Sequence, residues 1–229
     1  MTAPAARRAL MAMLDVFGGV GRWAGLSETE DRVRRAVLDH YAQTGHAPSI
    51  AQLSRSTAIA PDEVRDLLRK LKARDMVVLD QSGETITGAY PFTERDTGHR
   101  VRLGDRVLNA MCAIDALGAG GMYNKDITIS STCPACGRAI HIETRDDGAA
   151  LATFSPSSAV VWSGIQYFNG CAADSLCTVM AFFCSDEHLE SWRNANHPDV
   201  KGFRLSMEEG LEAGKAIFTP LLATPAEAA

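Results

Sequence analysis

The first ninety residues place apolar side chains at the three- and four-residue intervals that are typical of helices. Segment 27–44 begins with the capping-box pattern Ser27-x-x-Glu30, and its apolar residues fall on one face. A second, shorter helix is predicted to begin after Ser49. A third is predicted to begin at Pro61, because proline fits the first turn of a helix but disrupts later turns. This part of the chain is therefore predicted to be mainly helical.

Residues 76–90 contain two short β-prone segments around a Ser-Gly turn, a pattern that is typical of a hairpin. Three helices followed by a hairpin predict a winged-helix-like domain at residues 1–90. Many such domains bind DNA, but the helix turn that would meet the bases carries Asp62, Glu63 and Asp66, which repel phosphates. Nucleic acid is therefore a disfavoured partner, and a packing or dimerising module is the preferred interpretation.

After residue 90 the pattern changes to short strands mixed with helices. The predicted elements are a strand at 99–103, a helix at 105–117 ended by Gly118, Gly120 and Gly121, a hairpin at 126–143, strands at 159–162 and 176–183, and helices capped by Ser185 and Ser206. Because segment 176–183 is wholly apolar, we expect it to be buried on both faces or central in its sheet. The mixture predicts an α+β fold, with a frayed tail at residues 223–229.

Composition narrows the functions open to the chain. With 229 residues and 46% hydrophobic content, it has enough length for one large domain or two small ones. Its net charge of -5 gives no attraction for nucleic acid or for anionic membranes. The apolar run after Arg8 is interrupted by Asp15 and is too short for a signal peptide or a membrane span. We therefore expect a cytoplasmic protein whose six cysteines are reduced unless they bind metal or take part in chemistry.

One thiol and one carboxylate are predicted to be neighbours. In the predicted helix LNAMCAIDAL, Cys112 and Asp115 occupy positions i and i+3, so their side chains share a face and can exchange a proton. The apolar stripe of Leu108, Met111 and Ile114 lies beside Asp115, where a charged carboxylate is costly, so we expect a raised pKa. The alternative is a buried cysteine without a function beside a surface aspartate.

A second cysteine motif indicates a metal site. The sequence Cys133-Pro-Ala-Cys136-Gly is half of a tetrahedral zinc site. The remaining cysteines contain no second C-x-x-C, so zinc would need scattered ligands such as Cys171 or Cys184. Zinc at Cys133 and Cys136 is therefore open but not favoured. The histidines form no known ligand or triad motif, and no role is assigned to them.

Three segments carry a family resemblance. AMCAIDALG, STCPACG and SLCTVMAFF occur in an order and spacing that resemble the organomercurial (alkylmercury) lyase family over residues 90–222. The resemblance implies that Cys112 and Cys177 are catalytic thiolates and that Asp115 is the catalytic proton carrier. It also implies that residues 91–229 form an alkylmercury-lyase-like catalytic domain, with a mixed or antiparallel sheet and flanking helices.

The resemblance also implies a reaction and its partners. Mercury is a soft metal that prefers thiolates, so a small organomercurial R-Hg+ would be converted to R-H and Hg(II) without an organic cofactor or a resident metal. Cys112 and Cys177 would hold Hg(II), with Cys133 and Cys136 as further candidate ligands and small thiols or a mercuric reductase as acceptors. Thr178 replaces the second cysteine of the family's Cys-Cys pair, which leaves transfer to the acceptor in question. The alternatives are a soft-metal or zinc-binding protein, a winged-helix metal sensor, or a thiol enzyme of the same fold with a non-mercurial substrate.

Overall fold

The computed structural model describes residues 1–19 and 23–223. The helices in this part of the chain are α1 (Pro4–Phe17), α2 (Glu28–Thr44), α3 (Ile50–Thr57), α4 (Pro61–Ala73), α5 (Ala113–Tyr123), α6 (Asp186–Asn196) and α7 (Met207–Leu222). The strands are β1 (Val77–Leu79), β2 (Ile86–Ala89), β3 (Phe92–Thr93), β4 (Arg100–Leu103), β5 (Arg106–Ala110), β6 (Ile127–Thr132), β7 (Ala139–Arg145), β8 (Ala150–Ser155), β9 (Val160–Gly164), β10 (Met180–Phe183) and β11 (Gly202–Leu205). The tail predicted at residues 223–229 lies outside the described residues except for residue 223.

The strands form two sheets in the described ranges, and every paired strand in them is antiparallel. The larger sheet has the order β1-β2-β3-β5-β4-β6-β7-β8, and the smaller has the order β10-β9-β11. The predicted α+β class with an antiparallel sheet and flanking helices is confirmed. The larger sheet starts in the predicted N-terminal hairpin and continues past residue 90, so strands from both predicted domains are hydrogen-bonded in one sheet.

The predicted N-terminal elements are present. Ser27 and Ser49 cap α2 and α3 through complete capping boxes, because each side chain accepts a hydrogen bond from the backbone three residues later and the residue there bonds back. Pro61 occupies the first turn of α4, and β1 and β2 form the predicted hairpin. The order of helices and hairpin is the one expected for a winged helix, and that assignment stays a prediction.

The prediction of a helix at residues 105–117 was wrong for the first half of that segment. Residues Arg106–Ala110 form β5, which pairs with β4 and β3, and the helix begins at Ala113 with Cys112 as its N-cap residue. Gly104 adopts a left-handed φ of +58°, which allows the tight turn between β4 and β5. The buried Leu108 and Ala110 alternate with more exposed neighbours, which is the two-residue pattern of a strand. The same apolar residues can also be read with the spacing of a helix, and this ambiguity caused the error.

The glycines that were predicted to end this helix lie inside it. Helix α5 continues through Gly118, Gly120 and Gly121 and ends at Tyr123, and its C-cap residue Asn124 adopts the left-handed conformation. The reason is the close packing of α5 against α7: a Cβ atom at residue 118 would lie 2.7 Å from the carbonyl oxygen of Gly214. Glycine therefore permits contact between two helix backbones here.

Two further elements differ from the prediction. Segment 176–183 contains a 3-10 turn (Cys177–Val179) before β10, and β10 is an edge strand of the smaller sheet, not a central one. It is nevertheless buried, because α5 and β6 pack against it. The apolar run after Arg8 belongs to α1, which packs on α7 and β11 and was not predicted. Across the residues that the structure describes, every helix is too short or too polar to cross a membrane.

Candidate active site

Cys112 and Asp115 are in contact at the beginning of α5. Cys112 is the N-cap residue with extended backbone, and Asp115 lies in the first turn. The thiol of Cys112 donates a hydrogen bond of 2.6 Å to Oδ2 of Asp115. The predicted proximity is confirmed, although Cys112 precedes the helix instead of lying within it. An N-cap side chain and the residue three positions later face each other, as in a capping box, so the spacing keeps the pair together in either case.

Cys177 joins this pair from a distant part of the chain. It begins the 3-10 turn that leads into β10, and its thiol lies 3.6 Å from the same Oδ2 of Asp115. One ligand atom from each of Cys112, Asp115 and Cys177 lies within 4.8 Å of the others. Two sulfurs that each bind one soft ion at about 2.3 Å can be no more than about 5 Å apart, so this spacing suits a shared ion.

A third sulfur lies beside the two thiols. Sδ of Met180, the first residue of β10, is 3.8 Å from Sγ of Cys112. Met180 was not identified from the sequence, and the only available signal was its position three residues after Cys177. A thioether is a soft and polarizable group, so it is a type of ligand that soft metals accept.

Burial controls the protonation of the cluster. Cys112, Asp115 and Cys177 are 1%, 4% and 8% exposed. Burial raises the pKa of Asp115 to about 7, although hydrogen bonds from the two thiols act in the opposite direction. The hydrogen bond to Cys112 and burial raise the pKa of Cys177 well above the usual thiol value, and burial raises that of Cys112. Near neutral pH the cluster therefore holds two neutral thiols beside a carboxyl that can both accept and donate a proton.

An apolar cavity of about 60 Å³ adjoins the three residues. Helix α1 forms one wall, and Trp23, Tyr90 and α7 contribute further apolar side chains, in addition to Ile114, Ala172, Leu176 and Met180 beside the cluster. The lining from these elements is Leu10, Met13, Leu14, Phe17, Trp23, Tyr90, Ile217 and Phe218. This wall was not predicted, because α1 was not recognised as a helix. The apolar lining excludes water from the carboxyl and the thiols, which contributes to their raised pKa values.

An open groove of about 390 Å³ also reaches Cys177. Its walls are more polar than those of the cavity and include Arg95, Asp96 and His99. Thr178, which directly follows Cys177, is exposed and lines this groove. Cys177 therefore lines both the apolar cavity and the more polar groove.

A hydrogen-bond network fixes the segment that precedes Cys177. Buried Asp75 accepts hydrogen bonds from the Tyr90 hydroxyl (2.8 Å), the Tyr167 hydroxyl (3.2 Å) and the backbone amide of Ala172 (2.7 Å). The Tyr90 hydroxyl in turn accepts from the amide of Ala173 (2.9 Å). Two of these side chains come from the first ninety residues, so the predicted N-terminal domain helps to position the segment that carries a candidate catalytic thiol.

Cys133 and Cys136 lie outside this cluster and belong to a second one. Ligand atoms of Cys133, Cys136, Cys184 and His188 all lie within 4.8 Å of one another. No role was assigned to His188 from the sequence, and Cys184 was only one of two scattered candidates. The spacing Cys184-x-x-x-His188 around the predicted N-cap at Ser185 was the available signal. Cys171, the other scattered candidate, belongs to neither cluster in the described chain.

Comparisons with known proteins relate the chain to one family. Residues 92–219 match the family model described as Alkylmercury lyase. This range includes all three residues of the buried cluster. The chain is similar to the crystal structure of the mercury-bound form of MerB2, with a TM-score of 0.75 and 25% sequence identity. The similarity covers 93% of this chain and 100% of that one.

Proposed function

The chain belongs to the alkylmercury lyase family, and from this premise we propose that it cleaves the carbon–mercury bond of organomercurials, converting R-Hg+ to R-H and Hg(II). The observation that carries the proposal is the convergence of two thiols on one oxygen of a carboxyl whose pKa is about 7, beside an apolar cavity. Thiolates bind mercury, the carboxyl transfers a proton, and the cavity accepts the organic group.

Capture of the substrate begins with one thiol. In the cell an organomercurial arrives as a complex with a small thiol, R-Hg-SR', because mercury is soft and thiols are abundant. Asp115 accepts the proton of Cys112 across 2.6 Å, the thiolate of Cys112 bonds to mercury, and the departing R'S- takes up that proton to leave as R'SH. Asp115 is then a carboxylate again, ready for the second thiol.

The second thiol supplies the proton that ends on carbon. Asp115 accepts the proton of Cys177, and the thiolate of Cys177 becomes the second sulfur ligand of mercury. Two thiolates push electron density onto the metal-bound carbon, which becomes basic enough to accept the proton from Asp115. The carbon–mercury bond breaks, its electron pair forms the new C-H bond, and Hg(II) remains bound to Cys112 and Cys177. A pKa of about 7 suits a group that must both take and give a proton near neutrality.

The surroundings support the same sequence of steps. The apolar cavity binds the organic group and keeps water from the site, which strengthens the electrostatic interactions within it. The open groove gives a small acceptor thiol access to Hg(II) at Cys177, so transfer of the product would occur there. Thr178 offers no sulfur in that groove, so the incoming thiol itself must supply the next ligand.

Hydrocarbon release tests the proposed reaction. Purified protein incubated with methylmercury or phenylmercury and an excess of small thiol should release methane or benzene, measured by gas chromatography. Cys112→Ser and Cys177→Ser should each abolish the release, since either change leaves one thiolate on mercury. Cys171→Ser, a thiol outside both clusters, is the matched control and should remain active. Folded wild-type protein that releases no hydrocarbon would sink the proposal.

For the N-terminal region we propose a winged-helix-like module that packs on a catalytic domain at residues 91–229 and does not bind nucleic acid. On α4, Arg65 pairs with Asp62 and Glu84, and Arg69 pairs with Asp66. The first turn of α4, where a recognition helix would meet the bases, carries Asp62 and Glu63. Carboxylates at that position repel phosphates. A shift of labelled duplex DNA at physiological salt would contradict this assignment.

A further inference from the structure

We propose that Cys133, Cys136, Cys184 and His188 bind one zinc ion in a tetrahedral site that is separate from the proposed active site. Sγ of Cys136 lies 3.6 Å from Sγ of Cys184, and Sγ of Cys184 lies 2.8 Å from Nδ1 of His188. With zinc at about 2.3 Å from sulfur and about 2.0 Å from nitrogen, tetrahedral ligands are roughly 3.5 to 4 Å apart. The four atoms therefore need only small shifts to coordinate one ion.

The first pair of ligands is held by a tight turn at the tip of the β6–β7 hairpin. The carbonyl oxygen of Cys133 accepts hydrogen bonds from the amides of Cys136 (3.3 Å) and Gly137 (2.8 Å). Gly137 adopts a left-handed φ of +73°, which a residue with a side chain would adopt only with strain. This turn presents both sulfurs to the same point, as a C-x-x-C zinc turn requires.

The second pair comes from the junction of β10 and α6. Cys184 directly follows β10, and Ser185 caps α6 by accepting a hydrogen bond from the amide of His188. The cap turns the chain so that His188, in the first turn of the helix, lies over the thiol of Cys184. Ligands from two separate elements thus meet the hairpin turn, and the set of three sulfurs and one imidazole is complete.

The composition of the set favours zinc over a disulfide. A disulfide between Cys136 and Cys184 would need a sulfur–sulfur distance near 2.05 Å, against the 3.6 Å observed. A set of four ligands with three cysteines and one histidine is typical of structural zinc sites. The two-thiol cluster at Cys112 and Cys177 differs, because its third member is a carboxyl. Since the two clusters share no residue, zinc binding and lyase activity are compatible.

The position of the site gives it a structural consequence. It would join the hairpin of the larger sheet to the strand β10 of the smaller one. Met180, at the other end of β10, contacts Cys112, and Cys177 lies three residues before it. Pro134 of the hairpin turn and Trp192 of α6 line the groove that reaches Cys177. Bound zinc would therefore hold one wall of that groove in place.

Metal analysis of the purified full-length protein tests the proposal without any assay of turnover. Inductively coupled plasma mass spectrometry should find one zinc per chain in protein from zinc-supplemented cells. Cys136→Ser and His188→Ala should each lower the zinc content at least roughly fivefold. Cys177→Ser is the matched control and should retain the metal. Replacing zinc by cobalt should give the intense visible absorption of tetrahedral cobalt bound to thiolates in the wild type and in Cys177→Ser only.

Several outcomes would overturn the assignment. Wild-type protein that is free of zinc and takes up none in a titration contradicts it, as does zinc that persists in both Cys136→Ser and His188→Ala. Zinc lost from Cys177→Ser would place the ion at the other cluster. If the protein binds no zinc but binds Hg(II) at these four residues, the cluster is a mercury-binding site and not a zinc site. Because Cys136 is exposed, its replacement tests the ligand set without disturbing the core.

Discussion

Replacing Asp115 with asparagine should make the stability of the protein less dependent on pH. Asparagine keeps the size of the side chain and an oxygen that can accept the thiol hydrogen bonds, but it does not titrate. Burial raises the pKa of Asp115 to about 7, whereas an aspartate in an unfolded chain titrates near ~3.9. The folded protein thus holds this proton more tightly than the unfolded chain does. The free energy of unfolding of the wild type should therefore fall as the pH rises through this interval.

The size of the effect follows from the difference between the two pKa values. One unit corresponds to about 1.36 kcal/mol, so a difference of about three units gives about 4 kcal/mol in full. Between about pH 5 and about pH 7.5 the wild type should lose about 2.5 kcal/mol relative to Asp115→Asn. Over this pH range the thiols of Cys112 and Cys177 stay protonated, because their pKa values are raised as well.

Urea unfolding followed by circular dichroism across this pH range measures the difference. Asp105→Asn, at an exposed position in the turn between β4 and β5, is the matched control and should follow the wild type at every pH. A difference between the wild type and Asp115→Asn that stays constant within about 0.5 kcal/mol over the range would refute the reasoning. Such a result would mean that the buried carboxyl is already ionised near pH 5.

Two further predictions concern the helices around the site. Gly118→Ala would place a methyl group 2.7 Å from the carbonyl oxygen of Gly214, so α5 and α7 must separate, and the free energy of unfolding should fall by about 1–3 kcal/mol. An unchanged thermal melting curve would contradict this packing argument. The cavity of about 60 Å³ is smaller than the roughly 150 Å³ that admits benzene, so methylmercury should be the better substrate. Leu10→Ala should raise kcat/KM for phenylmercury relative to methylmercury by roughly tenfold. Val16→Ala, at an exposed position of α1, is the control and should leave this ratio unchanged. An unchanged ratio in Leu10→Ala would show that α1 does not limit the size of the substrate.

The sequence predicted the helix starts and side-chain contacts that depend only on residues close together in the chain. Capping serines and first-turn prolines identified the starts of α2, α3 and α4, because these residues satisfy backbone groups at their own helix end. The contact between Cys112 and Asp115 was predicted from a spacing of three residues, even though the helix was placed too early. An N-cap pair and a pair inside a helix have the same spacing, so the error in the element did not change the contact.

Features that depend on tertiary packing were not predictable in this way. The glycines at 118, 120 and 121 look like a helix stop in the sequence, because only tertiary contacts explain their lack of side chains: Gly118 and Gly121 face α7, and Gly120 faces the backbone at Lys125 and Gly148. Cys177 was assigned through family resemblance, since no local pattern links it to a residue 62 positions earlier. His188 lies one helical turn after Cys184, but only the fold brings that pair to the hairpin turn that carries Cys133.

The two thiols of the proposed active site share a single acceptor atom, Oδ2 of Asp115, in surroundings that exclude water. A ligand that binds through both thiols must release two protons through this one atom, so the two thiols lose their protons one after the other. In the proposed reaction the first proton leaves on the thiol that the substrate brings, and the second leaves on the carbon. The carboxyl is therefore emptied before the second thiol is deprotonated. The single acceptor atom thus fixes the order in which the two sulfur–mercury bonds form.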